Sequence, residues 1–124
     1  MIQEDKELLL KDLCCRLHYG VKCYEDGVDY PFEIIGYTKT NLEFIYSDGY
    51  ERPIEFIKPY LRPMSSMTDS EKEYFFGLTE MKCTLGYAID KVRFCLEHHL
   101  DMNNLIPKGL ALEAPEDMYK IKEK

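Results

Sequence analysis

Hydrophobic positions follow a helical period at both ends of the chain and a strand-like alternation in the middle. Leu9, Leu10, Leu13, Cys14 and Leu17 recur at helical spacing within residues 4–18. Glu4, Asp5 and Glu7 place negative charge where a helix dipole favours it. Gly20 supplies a stop. This pattern predicts an amphipathic helix, too short to be stable alone and in need of a partner surface.

The pattern changes between residues 21 and 63. A first short strand is predicted over 21–25, before the Asp26-Gly27 turn signal. A second is predicted over 30–38, rich in aromatic and β-branched residues, with Gly36 marking a bulge. Lys39, Thr40 and Asn41 are polar enough to turn the chain. In the third, over 42–46, Leu42, Phe44 and Tyr46 alternate with Glu43 and Ile45. Asp48-Gly49 then signals a hairpin, and Pro53 restricts the next strand to an edge or to a strand start. Residues 54–58 read as a strand running into one tight turn at Pro59, with 60–62 as a last short strand.

Helical spacing returns at Thr68-Asp69-Ser70-Glu71, a capping box. It opens a helix to about Lys82, with Tyr74, Phe75, Leu78 and Met81 on its apolar face. Thr84 is placed to cap a longer helix over about 85–99. There Leu85, Ile89, Val92 and Leu96, with Ala88 and Cys95, form the main apolar stripe, while Tyr87, Lys91, Phe94 and His98 fall on another face. Residues 105–112 are apolar but broken by Pro107 and Gly109, which predicts a short docked turn. The elements define an α+β fold: a small antiparallel, SH3-like curled sheet over about residues 21–63, packed with an N-terminal helix and a C-terminal helical segment. The same strands also fit an open meander. One domain is expected over 1–119, with 120–124 as a frayed tail.

Composition narrows this picture. The chain has 124 residues, a 45% apolar fraction and 31% charged residues, values of a globular domain with its own core. The net charge of −7 is spread along the chain, with no basic block such as a nucleic-acid surface usually shows. No stretch has the roughly 20 apolar residues of a membrane span, and the acidic start has no signal-peptide pattern. Five cysteines without a CxxC spacing fit free thiols in a reducing cytoplasm.

Two phrases carry a resemblance. One runs through residues 54–68, Ile54-Glu55-Phe56-Ile57-Lys58-Pro59-Tyr60-Leu61-Arg62-Pro63 and onward to Thr68. The other is His98-His99, then Leu105-Ile106 and Lys108-Gly109-Leu110-Ala111-Leu112-Glu113-Ala114-Pro115. Both are similar to phrases in an uncharacterised family of short proteins from Bacteroides-type phages and mobile elements. Pro107 and the Asn103-Asn104 pair depart from that pattern. The resemblance implies a setting, the cytoplasm of a bacterial host, and carries no catalytic residues.

Three chemistries are open. Cys14 and His18, and Cys95 and His99, are i,i+4 pairs on two helices and would make a tetrahedral zinc site if those helices met. The plainer reading makes the cysteines core residues and the histidines rim residues. A small metal- or thiol-dependent enzyme would use the same groups. Tyr50, Arg52, Tyr60 and Arg62 define a speculative ligand-binding patch on the sheet, for a small anion or phosphate. The expected function is non-catalytic binding: an accessory protein that interferes with a host defence system by binding a protein or by sequestering a small anionic ligand. The alternative is a nucleic-acid-binding module using the aromatic sheet face. A protein partner ranks first, with a homodimer also open. No cofactor is expected beyond that testable zinc.

Overall fold

A computed structural model describes residues 2–28, 30–38, 43–46, 49–80, 85–115 and 118–119, with backbone alone for 78–80 and 85–88. The expected features at Asp29, Lys39 to Leu42, Asp48, Met81, Lys82, Thr84 and 120–124 lie outside these residues. The fold is α+β. Helix α1 (Gln3–Arg16) ends through a short 3-10 turn at Gly20, whose φ of 70° is the left-handed geometry a side chain disfavours. The strands are β1 (Lys22–Glu25), β2 (Phe32–Thr38), β3 (Glu43–Tyr46), β4 (Glu51–Pro53), β5 (Ile57–Leu61) and β6 (Leu112–Glu113). Helices α2 (Asp69–Glu80) and α3 (Leu85–Glu97) lie between β5 and β6.

The strands form one sheet in the order β4-β3-β2-β1-β5-β6, antiparallel except for the β5–β6 pair. The first four form a meander, and the fifth returns to pair with the first, Cys23 opposite Pro59. The register slips between Ile34 and Gly36, which is the bulge expected at that glycine. A Cβ at Gly36 would sit 3.4 Å from Ile45 Cδ1 on the neighbouring strand, at the near edge of ordinary contact. Arg52 on β4 pairs with Glu25 on β1 at 3.1 Å.

Three expectations change. The tight turn precedes the last long strand: a 3-10 turn covers Ile54–Phe56, and Pro59 lies inside β5. β6 begins opposite Tyr60, so Pro59, which has no N–H to donate, faces no partner on that edge. Leu112–Glu113 is a parallel strand rather than part of a docked turn. The buried side of α1 is Leu9, Asp12, Leu13 and Arg16, with Cys14 exposed.

The main core joins Leu9 and Leu13 of α1 to Val21, Cys23, Ile34, Phe44, Ile57 and Leu61 of the sheet and to Leu105 and Leu110 beyond α3. A smaller cluster, Met67, Phe94, Cys95 and Leu100, lies under the α2–α3 hairpin. The inward face of α3 therefore matches its expected apolar stripe only in part: Cys95 and Leu96 are buried together with Phe94 from another face, while Ile89 and Val92 are about half exposed.

Candidate functional site: a groove on the helical hairpin

Three polar assemblies hold the hairpin against the body. In the first, Arg16 is fully buried. Its Nε lies 2.5 Å from Asp12 Oδ1, and its Nη2 donates to the Leu100 carbonyl at 2.8 Å. Asn103 Nδ2 donates to Asp12 Oδ2 at 2.8 Å. An ion pair buried this completely requires such extra hydrogen bonds to offset desolvation. Arg16 Nη1 and His99 Nδ1 remain buried without a partner among the described residues.

The second assembly is centred on Arg62. Its guanidinium grips the Glu71 carboxylate at 2.7 and 2.9 Å and also donates to the Ser66 carbonyl. Its backbone bonds to His99 and Asp101. Glu71 also closes the capping box at the start of α2: the Thr68 N–H donates to it at 2.8 Å, and its own N–H donates to Thr68 Oγ1 at 3.2 Å. Hydrogen bonding from Arg62, opposed by partial burial and helped by the Thr68 N–H, holds the Glu71 carboxyl at about 2. His98 Nδ1 lies 3.1 Å from the same carboxylate.

The third assembly is the end of α3. His99 has a φ of 58°, uncommon for a residue with a side chain. The Leu100 N–H bonds to the Cys95 carbonyl and the His99 N–H to the Leu96 carbonyl, the double bond that closes a helix through a left-handed residue. The His99 ring stacks on Tyr119 with 3.7 Å between centroids. Burial first, and then the Arg16 charge, bring its imidazole down to about 4. The Tyr119 hydroxyl accepts from the Lys22 N–H at 2.7 Å and donates to the Tyr60 carbonyl at 2.8 Å, tying the C-terminal segment to β1 and β5. Asp101 accepts from the Leu105 and Ile106 N–H groups at 2.8 and 2.9 Å, which shapes the loop after α3.

Between α2 and α3 these anchors leave an open groove of about 430 Å³, lined by Ser70, Glu71, Tyr74, Asp90, Arg93, Phe94, Glu97 and His98. Tyr74 and Phe94 stack in it with centroids 5.0 Å apart. Tyr74 is 58% exposed, an aromatic face turned to solvent. Glu71 is engaged by Arg62, whereas Asp90, Arg93 and Glu97 make no ion pair among the described residues.

The residues singled out from sequence sit elsewhere or have other duties. Tyr50 and Arg52 belong with β4, and Arg52 holds Glu25 while lying 5.7 Å from the Tyr50 ring centroid. Tyr60 packs edge-on to Tyr24. Glu25 pairs with Ile57 and Cys23 with Pro59, so Arg62 lies at the far end of β1 from the carboxylate that Arg52 holds. The two arginines therefore do not converge, and each already binds a carboxylate. Among the zinc candidates, Cys14 on α1 and His18 in the 3-10 turn after it are exposed, while Cys95 is buried and His99 packs on Tyr119. Among the described residues no group of three possible metal ligands comes together. Burial pushes the Cys95 and Cys23 thiols up, away from the thiolate that metal binding or attack requires.

Sequence reasoning missed Asp12, Arg16, Asp101 and the groove. Leu9, Asp12, Leu13 and Arg16 are spaced i, i+3, i+4 and i+7, so one helical face mixing leucines with an opposite-charge pair was a readable signal. The groove left none, because its two walls come from separate helices. Comparison with protein-family models, curated proteins and solved structures finds no match. Among the described residues no helix is long and apolar enough to cross a membrane.

Proposed function

We propose that this is a non-catalytic binding protein, an accessory of a phage or mobile element made in the cytoplasm of its bacterial host, and that it engages a protein partner through the α2–α3 groove. The observation that supports this reading is the pairing of a solvent-facing Tyr74 ring, backed by buried Phe94, with two carboxylates, Asp90 and Glu97, that no cation holds among the described residues. An aromatic face attracts a cation within about 6 Å, and unpaired carboxylates at the rim attract it further. The occupant is a polypeptide segment that lays a lysine or arginine across the Tyr74 ring, with Arg93 placed to meet a neighbouring acid. Interference with host defence by masking a protein fits this mode of binding and rests on the setting implied by the resemblance. An SH3-like architecture fits the strand order and the 3-10 turn before β5. The small-anion and nucleic-acid readings gain no support from Arg52 and Arg62, since each arginine already neutralises a carboxylate.

The test uses an array of short peptides of defined sequence that vary in lysine and arginine content, read by fluorescence anisotropy. Basic peptides should bind, with affinity falling as salt rises. Asp90→Lys with Glu97→Lys should weaken binding at least about tenfold, the scale of one lost charge contact, and Tyr74→Ala should weaken it further. Equal binding of acidic and basic peptides, or a charge reversal without effect, would sink the reading.

A further inference from the structure

Two buried polar atoms stand unpartnered where α1 meets the end of α3. They are Nη1 of Arg16 and Nδ1 of His99, and neither has a hydrogen-bond partner among the described residues. Arg16 itself has no exposed surface. Its guanidinium is a planar fork, and Nε and Nη2 both bond to the Asp12 carboxylate along one edge. Nη2 also donates to the Leu100 carbonyl at 2.8 Å. Nη1 therefore points away from Asp12 and lies at the Leu100 end of the fork, one residue from His99. Among the charges acting on the His99 imidazole, that of Arg16 acts most strongly. Tyr119 stacks on the His99 ring at 3.7 Å and 15° from parallel, which covers that face. A buried donor with no acceptor loses its hydration and gains nothing in return.

We infer that a single internal water molecule bridges Arg16 Nη1 to His99 Nδ1 beneath Tyr119. The chemistry of the two groups selects the occupant. Arg16 only donates, so the bridging species must accept from it. The His99 imidazole stays neutral at ordinary pH, because burial and then the Arg16 charge bring it down to about 4. Its Nε2 is not among the buried unpartnered atoms, so the ring proton resides there and Nδ1 presents a lone pair. A water molecule accepts on one side and donates on the other, and two polar partners suffice to hold it. It also joins groups that do not reach each other directly. A cation would be repelled by Arg16. An anion would face the Nδ1 lone pair, and Asp12 already balances the Arg16 charge, so the anion's own charge would be buried without a counterion. The bridge ties α1 to the end of α3 a second time, beside the Leu100 carbonyl and apart from the Arg62 assembly.

Magnetic relaxation dispersion of the water signal, measured on the full chain, counts waters held for longer than the protein takes to tumble. His99→Phe keeps a ring for Tyr119 to stack on and removes the acceptor. The wild type should exceed this variant by one long-lived water, and equal dispersions would overturn the inference. Nitrogen spectra of the wild-type imidazoles at neutral pH should show His99 with Nδ1 bare and its proton on Nε2. A proton on Nδ1 would overturn the bridge, since both ends would then donate. Chloride line broadening that is present in the wild type and lost in His99→Phe would overturn it in favour of an anion. If His99→Phe loses its circular dichroism signal, the wild type decides alone. Cross-relaxation must then link a water resonance to the His99 ring or the Arg16 guanidinium protons, and its absence overturns the bridge.

Discussion

The sheet with α1 and the hairpin of α2 and α3 differ in how much apolar surface they enclose. In the body, Leu9, Leu13, Val21, Cys23, Ile34, Phe44, Leu61 and Leu105 are fully buried, and even the charged pair Asp12–Arg16 is enclosed. In the hairpin, a four-residue cluster is buried while Tyr74, Phe76, Ile89 and Val92 remain exposed. The body also leaves Ile2, Tyr30, Ile35, Tyr50 and Phe56 exposed, so what sets the hairpin apart is its small buried cluster rather than exposure alone. Burying exposed apolar surface on a partner recovers roughly 25 cal/mol per Å², and in the hairpin that surface lies beside the groove. Arg62 sits where the two regions meet, holding Glu71 of α2 by its side chain and the end of α3 by its backbone.

The largest expected effect separates the body from the hairpin. Arg16→Ala leaves Asp12 buried without its cation and should cost about 3–5 kcal/mol, seen as a large fall in the denaturant midpoint. Asp12→Ala combined with Arg16→Ala should recover part of that loss, because no charge is then stranded. A single mutant that unfolds at the wild-type midpoint would mean the pair is not enclosed.

A smaller effect should fall on the hairpin. Arg62→Ala removes charge-assisted hydrogen bonds worth about 1.5–3 kcal/mol. Amide exchange should quicken in α2 and at the end of α3, while β1, β2 and β3 keep their protection. Uniform quickening would mean that the hairpin and body form one cooperative unit.

Acid should act gradually and in two steps. His99 is lowered from 6.5 to about 4 in the folded chain, chiefly by burial and then by Arg16, His98, Arg62 and Lys22. Its contribution is fully present above 6.5 and is lost as pH falls through that value toward about 4. Glu71 is lowered from 4.5 to about 2 by Arg62 first, so its contribution is present above 4.5 and is lost on the way to about 2. Stability followed by chemical denaturation should therefore decline from mild acidity downward. In Glu71→Gln the second decline should be absent and the first retained.

Much of the fold was legible in local sequence. The α+β order, the bulge at Gly36 and the capping box of Thr68 and Glu71 follow from spacing and residue type, because each depends on neighbours a few positions apart. Tertiary structure decided which face each helix buries. On α1 the buried face admits Asp12 and Arg16 because the pair, Asn103 and the Leu100 carbonyl satisfy most of one another's hydrogen bonds, and Asn103 and Leu100 are distant in sequence. On α3 the predicted apolar stripe is divided: Cys95 and Leu96 are buried and Phe94 from another face joins them, while Ile89 and Val92 stay half exposed, because the buried space beneath the hairpin lies at the Met67, Phe75 and Leu100 end of the helix. β6 could not be read at all, since two residues carry no period and exist as a strand only through Tyr60 and Leu61. The roles of Arg52 and Arg62 turned on carboxylates at Glu25 and Glu71. Periodicity reports how a segment divides its own surface, and only the packed chain decides which half meets the core and which charge meets its opposite.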